Sequence, residues 1–141
     1  MAVKQISVFV ENQPGKLAEI TDCLNAGGVN IRAFAISDTA DFGILRMIVN
    51  DPERAERLLQ ANDLSVSITQ VLVVSIADAP GSFAQVVRAL AQAGENIEYA
   101  YAFLTPEAGC ATVILRVNNP EQAAPALARA GIRMLEQNEI I

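Results

Sequence analysis

Two short segments concentrate polar side chains and unpaired backbone donors: Asn12-Gln13-Pro14-Gly15-Lys16-Leu17 and Asp78-Ala79-Pro80-Gly81-Ser82-Phe83. Each places a Pro-Gly turn just before a run of apolar residues at helical spacing. The first N–H groups of a helix have no intrahelical acceptor, and the helix dipole favours an anion beside them. A glycine at that point lets a ligand come close to the backbone. Asn12 adds an amide that both donates and accepts, whereas Glu11 and Asp78 offer carboxylates suited to an ammonium group. These groups suit recognition better than catalysis. The 141 residues contain no histidine, which removes Ser-His-Asp and Cys-His pairs and zinc sites with imidazole ligands. There is no P-loop and no GxGxxG motif, and no cofactor or metal is expected. Cys23 reads as a small buried residue of a helix and Cys110 lies near a hairpin, with cytosolic reduction arguing against a bond between them.

Both segments sit in a longer repeat. Pro14-Gly15, Ala18, Leu24, Gly28 and Asn30-Ile31 recur as Pro80-Gly81, Ala84, Leu90, Gly94 and Asn96-Ile97, each 66 residues further on (14 to 80, 31 to 97). That is seven identities over 18 positions, where composition alone gives about one. The chain is therefore two copies of one unit, with boundaries at 1–70 and 71–141, too few copies for a solenoid.

Within a copy the elements follow from periodicity. Ile6, Val8 and Val10 alternate as a strand with one buried face. Leu17, Ile20 and Leu24 then recur at helical spacing, matched by Phe83, Val86 and Leu90, and Gly27-Gly28 stop the helix. Asn30-Ile31 opens a second strand to about residue 37, and a turn at 38–41 leads to a third strand through Leu45, Met47 and Val49. Val113, Leu115 and Val117 match these at an offset of 68, which makes the second hairpin loop, around 105–109, two residues longer. Asn50-Asp51-Pro52-Glu53 and Asn118-Asn119-Pro120-Glu121 each read as a capped helix start with proline at the first helical position. Pro125 predicts a kink or a late start in the second of these helices. Leu64, Val66 and Ile68 form a last strand that runs almost directly into the next copy, so the copies are expected not to move independently. The order βαββαβ, twice, predicts an α+β fold of two ferredoxin-like units, each an antiparallel sheet with its helices on one face.

Composition narrows the partners. A net charge of −6 opposes an electrostatic nucleic-acid footprint. Apolar runs such as 71–74 are far too short to span a bilayer, and Met1-Ala2-Val3-Lys4 shows no leader pattern, so a cytoplasmic protein is expected. The hydrophobic content of 52% against 18% charged residues is high. Together with the small size of each unit, it predicts an interface, with a homodimer as the simplest form.

A strand ending in Glu11-Asn12-Gln13-Pro14-Gly15, a helix, and then Gly28-Val29-Asn30-Ile31 resembles the ACT domain, a regulatory module that senses small molecules. Asp78-Ala79-Pro80-Gly81 and Gly94-Glu95-Asn96-Ile97 repeat the pattern. The first copy is most similar to the ACT domains of phosphoglycerate dehydrogenase and of the small subunit of acetohydroxyacid synthase. In those, the asparagine before x-Pro-Gly and the asparagine of Asn-Ile help hold serine or valine at a domain interface. The positions here are Asn12 and Asn30. The dehydrogenase's histidine, two residues before the first asparagine, is Val10 in this chain, which departs from a serine site. The resemblance implies a free amino acid as ligand, its α-carboxylate near residues 15–17 or 81–83. The implied binding residues are Asn12, Gln13, Pro14, Gly15, Lys16, Leu17, Asn30 and Ile31 in the first copy, and Asp78, Ala79, Pro80, Gly81, Ser82, Phe83, Asn96 and Ile97 in the second.

Each of these residues also has a structural reading. Pro-Gly makes a turn, Asn30 and Asn96 cap or turn the chain before a strand, and Asp78 complements a helix N-terminus. Tyr99, Tyr101 and Phe103 alternate on one strand face where the first copy has Ala33, Ala35 and Ser37, a pattern read either as compensation for small residues elsewhere in the second copy or as a cavity left by Ala33 and Ala35 in the first, the former preferred. The expected function is a stand-alone amino-acid-binding regulator acting through a dimer, a metabolic enzyme or a transcription-factor partner, without direct nucleic-acid or membrane contact. The alternatives are a regulatory or scaffold subunit that has lost ligand binding, and a small enzyme, for which no acid–base pair stands out.

Overall fold

The computed structural model of the protein describes residues 2–38, 41–104 and 108–140. The turn expected at 38–41 and the loop at 105–109 lie largely outside these residues. Contacts divide the chain into two compact units, Lys4–Thr69 and Gln70–Ile140, the second including Met1–Val3. The units are taken in turn.

In the first unit the order is β1 (Val3–Glu11), α1 (Lys16–Ala26), β2 (Ile31–Asp38), β3 (Phe42–Val49), α2 (Pro52–Ala61) and the first residues of β4 (Val66–Ala77). β3 lies antiparallel to both β1 and β2, with Val8 opposite Leu45 and Ile36 opposite the same Leu45. The Phe9 N–H donates to the Ser65 carbonyl (3.1 Å), holding the approach to β4 beside β1. The strand order β2-β3-β1-β4 is that of a ferredoxin-like sheet. Alternation puts Ile6 and Val8 on the same face as Leu45, Met47 and Val49. Against that face pack Ile20 and Leu24 of α1 and Ala55 and Leu59 of α2, all buried. Burying each such side chain contributes roughly 1.5–3 kcal/mol, so these residues fix how α1 lies across the sheet.

The second unit repeats the plan with the rest of β4, α3 (Ser82–Gln92), β5 (Ile97–Leu104), β6 (Cys110–Val117), α4 (Pro120–Arg129), a two-residue β7 (Arg133–Met134) and a short α5 (Gln137–Ile140). Its sheet runs β5-β6-β4, with β7 also on β4. Leu72, Val74, Val113, Leu115 and Val117 face Val86, Leu90, Ala123 and Leu127 in its core. The fold is α+β, two ferredoxin-like units in tandem, as the periodicity predicts.

Two local features differ from or refine that reading. α4 begins at Pro120, the counterpart of Pro52 in α2, and continues through Pro125 to Arg129, so its start is not late. Asn119 accepts from the Gln122 N–H and Asp51 from the Arg54 N–H, and these two caps set both starting points. The packing between helices also differs between the units. A Cβ built on Gly27 would lie 2.2 Å from Leu58 Cδ1. At the matching positions the second unit has Ala93 and Ala126, which line one groove. The larger residue at one position is matched by the smaller at the other. Among the described residues, neither Cys23 nor Cys110 is in a disulfide. Among the described residues no helix is long and apolar enough to cross a membrane.

Candidate functional site

The turn between β1 and α1 borders a pocket of about 190 Å³ in the first unit, lined by Val10, Glu11, Asn12, Gln13, Leu17, Ile36 and Gly43. Its geometry starts from the end of β1, where the Asn12 N–H donates to the Asp41 carbonyl (3.0 Å) and the Gln13 N–H to Glu11 (2.8 Å). These bonds close the turn and leave the Asn12 and Gln13 side chains exposed. Gly15 follows at φ 88°, a left-handed conformation that side-chain-bearing residues rarely adopt, and it forms the N-cap of α1. No side chain caps this helix. The Lys16 N–H is taken by the Gln13 carbonyl (3.3 Å) and the Glu19 N–H by Gly15 (3.0 Å), whereas the Leu17 and Ala18 N–H groups have no side-chain acceptor. The turn therefore presents two donors at the positive end of an 11-residue helix, beside an apolar wall.

That wall comes from strand register. Gly43 on β3 is paired with Val10 on one side and Asp38 on the other, and Ile36 stands on the neighbouring edge strand β2. Ile36 and Phe34, two residues apart on one face of β2, are 51% and 64% exposed, so the open side of the pocket is apolar and uncovered. Sequence reasoning named Asn12, Gln13 and Leu17 as ligand-binding, and all three line the pocket. Pro14, Gly15 and Lys16 form its turn and helix start. Ile36 and Gly43 were missed. A glycine inside the strand pattern 42–49 was the available signal, because glycine in a strand marks a close approach.

Asn30 and Ile31 lie elsewhere. β1 and β2 are both antiparallel to β3 and so run in the same direction, with α1 carrying the chain back between them. Asn30 precedes the start of β2, whereas Asn12 follows the end of β1. The eight residues of β2 separate those ends by about 25 Å. The Asn30 N–H donates to Asn50 Oδ1 (2.8 Å) and its carbonyl accepts from the Asn50 N–H (3.1 Å). Within one unit, Asn12 and Asn30 are not brought together.

The second unit repeats this arrangement with different side chains. The Asp78 N–H donates to the Gly109 carbonyl (2.8 Å), and Gly81 adopts φ 86° at the uncapped start of α3. Asp78, Ala79 and Pro80 are exposed at the turn, Ser82 begins the helix and Phe83 stands 42% exposed beside it. Asn96 and Ile97 are again at the far end, where the Asn96 N–H donates to Asn118 Oδ1 (2.9 Å). Asn50 and Asn118, which the sequence places in helix starts, serve as braces for the strands that begin at Ile31 and Ile97. Tyr99, Tyr101 and Phe103 are opposite Arg116, Ile114 and Thr112, on the sheet face away from α3 and α4.

A family model described as an ACT domain pair matches residues 1–141. The crystal structure of protein BT0572 from Bacteroides thetaiotaomicron is similar to this chain at 36% identity, with a TM-score of 0.93 over 99% of this chain and 96% of that one. The regulatory subunit of aspartate kinase from Thermus flavus shares the fold at 20% identity, with a TM-score of 0.63 over 91% of this chain and 92% of that one. The ligand-free regulatory subunit from Thermus thermophilus is similar at 20% identity and a TM-score of 0.62, over 90% and 91% of the two chains. Among curated proteins, none matches the chain.

Proposed function

The chain belongs to the ACT domain pair family, whose members are regulatory modules, and on that premise we propose that it is a stand-alone sensor of a free amino acid. One observation carries this reading: the pocket at the first turn combines uncapped helix donors with an apolar wall. An α-carboxylate suits the Leu17 and Ala18 N–H groups. Glu11 suits the α-ammonium, the Asn12 amide suits either group, and Val10, Leu17 and Ile36 suit an apolar side chain. Catalysis plays no part in this function.

Signalling passes through a second copy of the chain or a protein partner, either a metabolic enzyme or a transcription factor. The exposed Phe34 and Ile36 beside the pocket support this, because a surface that closes over them would respond to occupancy. β2 is also an edge strand, open to pairing. If the β2 strands of two copies pair antiparallel, the start of one strand lies beside the end of the other. Asn30 of the second copy then reaches the pocket that holds Asn12, and this is how Asn30 enters the site.

The test is thermal unfolding of the protein with each of the twenty amino acids added singly. A ligand at 100 times its Kd adds about 2.7 kcal/mol, roughly 10 °C of Tm for a chain of this size. One amino acid or a small related set raising Tm in this way is the expected result. No shift with any of them would overturn the reading.

A further inference from the structure

The two units share a turn, a helix start and a strand register, yet the residues around the turn have diverged in a way that bears on occupancy. Gly43 is paired with Val10 and Asp38. Its counterpart Ala111 is paired with Ile76 and Leu104, the residues equivalent to those two. The strand pairings around the two positions therefore correspond, and the side chains there can be compared directly. A Cβ built on Gly43 would lie 3.1 Å from the Ser37 carbonyl oxygen, 3.9 Å from the Val10 carbonyl oxygen and 4.0 Å from Ile36 Cγ2. It would occupy the pocket wall formed by Val10 and Ile36. In the second unit that methyl group is present, as half-buried Ala111.

The remaining differences act in the same direction. Asn12, a neutral amide that can accept or donate, is replaced by Asp78, which can only accept, and Glu11 is replaced by Ala77, so the second turn no longer offers an amide beside a carboxylate. Ile36, which gives the first pocket part of its apolar wall, is replaced by Ala102, which takes that contact away. Leu17 is replaced by Phe83, whose ring stands at the helix start.

We propose that only the first repeat takes the amino acid, and that Gly43 sets its capacity while Ala111 and Asp78 close the second. This rests on the amino-acid-sensing reading and adds to it a stoichiometry and the residues responsible. The second repeat then takes no amino acid, and one chain reports one binding event.

Calorimetric titration of the whole chain with each amino acid that raises Tm decides it. The expected result is one site per chain in the wild type. Gly43→Ala should weaken binding by about tenfold or more, as one added methyl group in a closely fitted pocket does, in a variant that circular dichroism shows to be folded. The double variant Asp78→Asn/Ala111→Gly should gain a second, weaker site. Two sites per wild-type chain, full affinity in Gly43→Ala, or a double variant that still binds one ligand would each overturn the proposal while leaving amino-acid sensing intact. Absence of binding by all twenty amino acids would overturn both.

Discussion

Gly27 and Leu58 should be energetically coupled, and their correspondence with Ala93 and Ala126 indicates by how much. Gly27 closes α1 at φ −87°, so alanine is conformationally acceptable there. The obstacle is Leu58, whose Cδ1 and Cδ2 would lie 2.2 and 3.2 Å from the new Cβ. Only the far end of a flexible side chain has to move, which puts Gly27→Ala at the low end of overpacking costs, about 1–2 kcal/mol. Leu58→Ala removes three carbons from a half-buried side chain, about half the cost at a fully buried site, or roughly 1–2 kcal/mol. Together the two alanines recreate the pairing of the second unit, and the clash disappears. The double variant should then lose only the Leu58 contribution, giving a coupling of about 1 kcal/mol or more between the sites. Urea unfolding of the wild type, both single variants and the double variant measures this directly. Additivity within about 0.5 kcal/mol would refute the steric coupling of Gly27 to Leu58.

Three further expectations concern stability. Gly15→Ala, with φ 88° and open space around its Cβ, should cost about 1–2 kcal/mol from backbone strain alone, read as a lowered urea midpoint with an unchanged slope. Asn118→Ala removes the acceptor of the Asn96 N–H and should cost about 1 kcal/mol, with faster hydrogen exchange at Asn96 as the local signature. Glu53 is held below the ordinary carboxylate value by its hydrogen bond from Lys4 and by its own backbone N–H. Its contribution is therefore present above the unfolded carboxylate pKa and is lost as pH falls through the lowered folded value. Both partners are about half exposed, so Glu53→Gln should cost only a few tenths of a kcal/mol at neutral pH, and the difference from wild type should vanish in acid.

The sequence is informative where a signal is local or repeated. Periods of two and of 3.6 residues place β1, α1, β3 and α2, and the 66-residue offset places their copies, because each element buries a face that only one period can form. The Pro-Gly turn and its glycine are equally local, and they locate one side of the pocket. The other side comes from pairing between strands. Gly43 meets Val10 and Ile36 only through the register of β3 with β1 and β2, which no short window of sequence contains. Asn30 shows the reverse difficulty. Its spacing from Asn12 is fixed by α1, yet that helix returns the chain to the opposite end of the sheet, so a motif that reads as one site is split within the unit. Of the two outcomes that Pro125 predicts, the late start does not occur, because a cap at Asn119 starts α4 at the usual place and the helix continues through the proline to Arg129.

The most direct test of the central claim is a crystal structure grown with the amino acid that raises Tm most. The ligand should lie at the turn between β1 and α1 of the first unit, with its carboxylate within hydrogen-bond distance of the Leu17 and Ala18 N–H groups and its side chain against Val10 and Ile36. An amino acid bound away from this turn, or one whose carboxylate faces away from the start of α1, would contradict it.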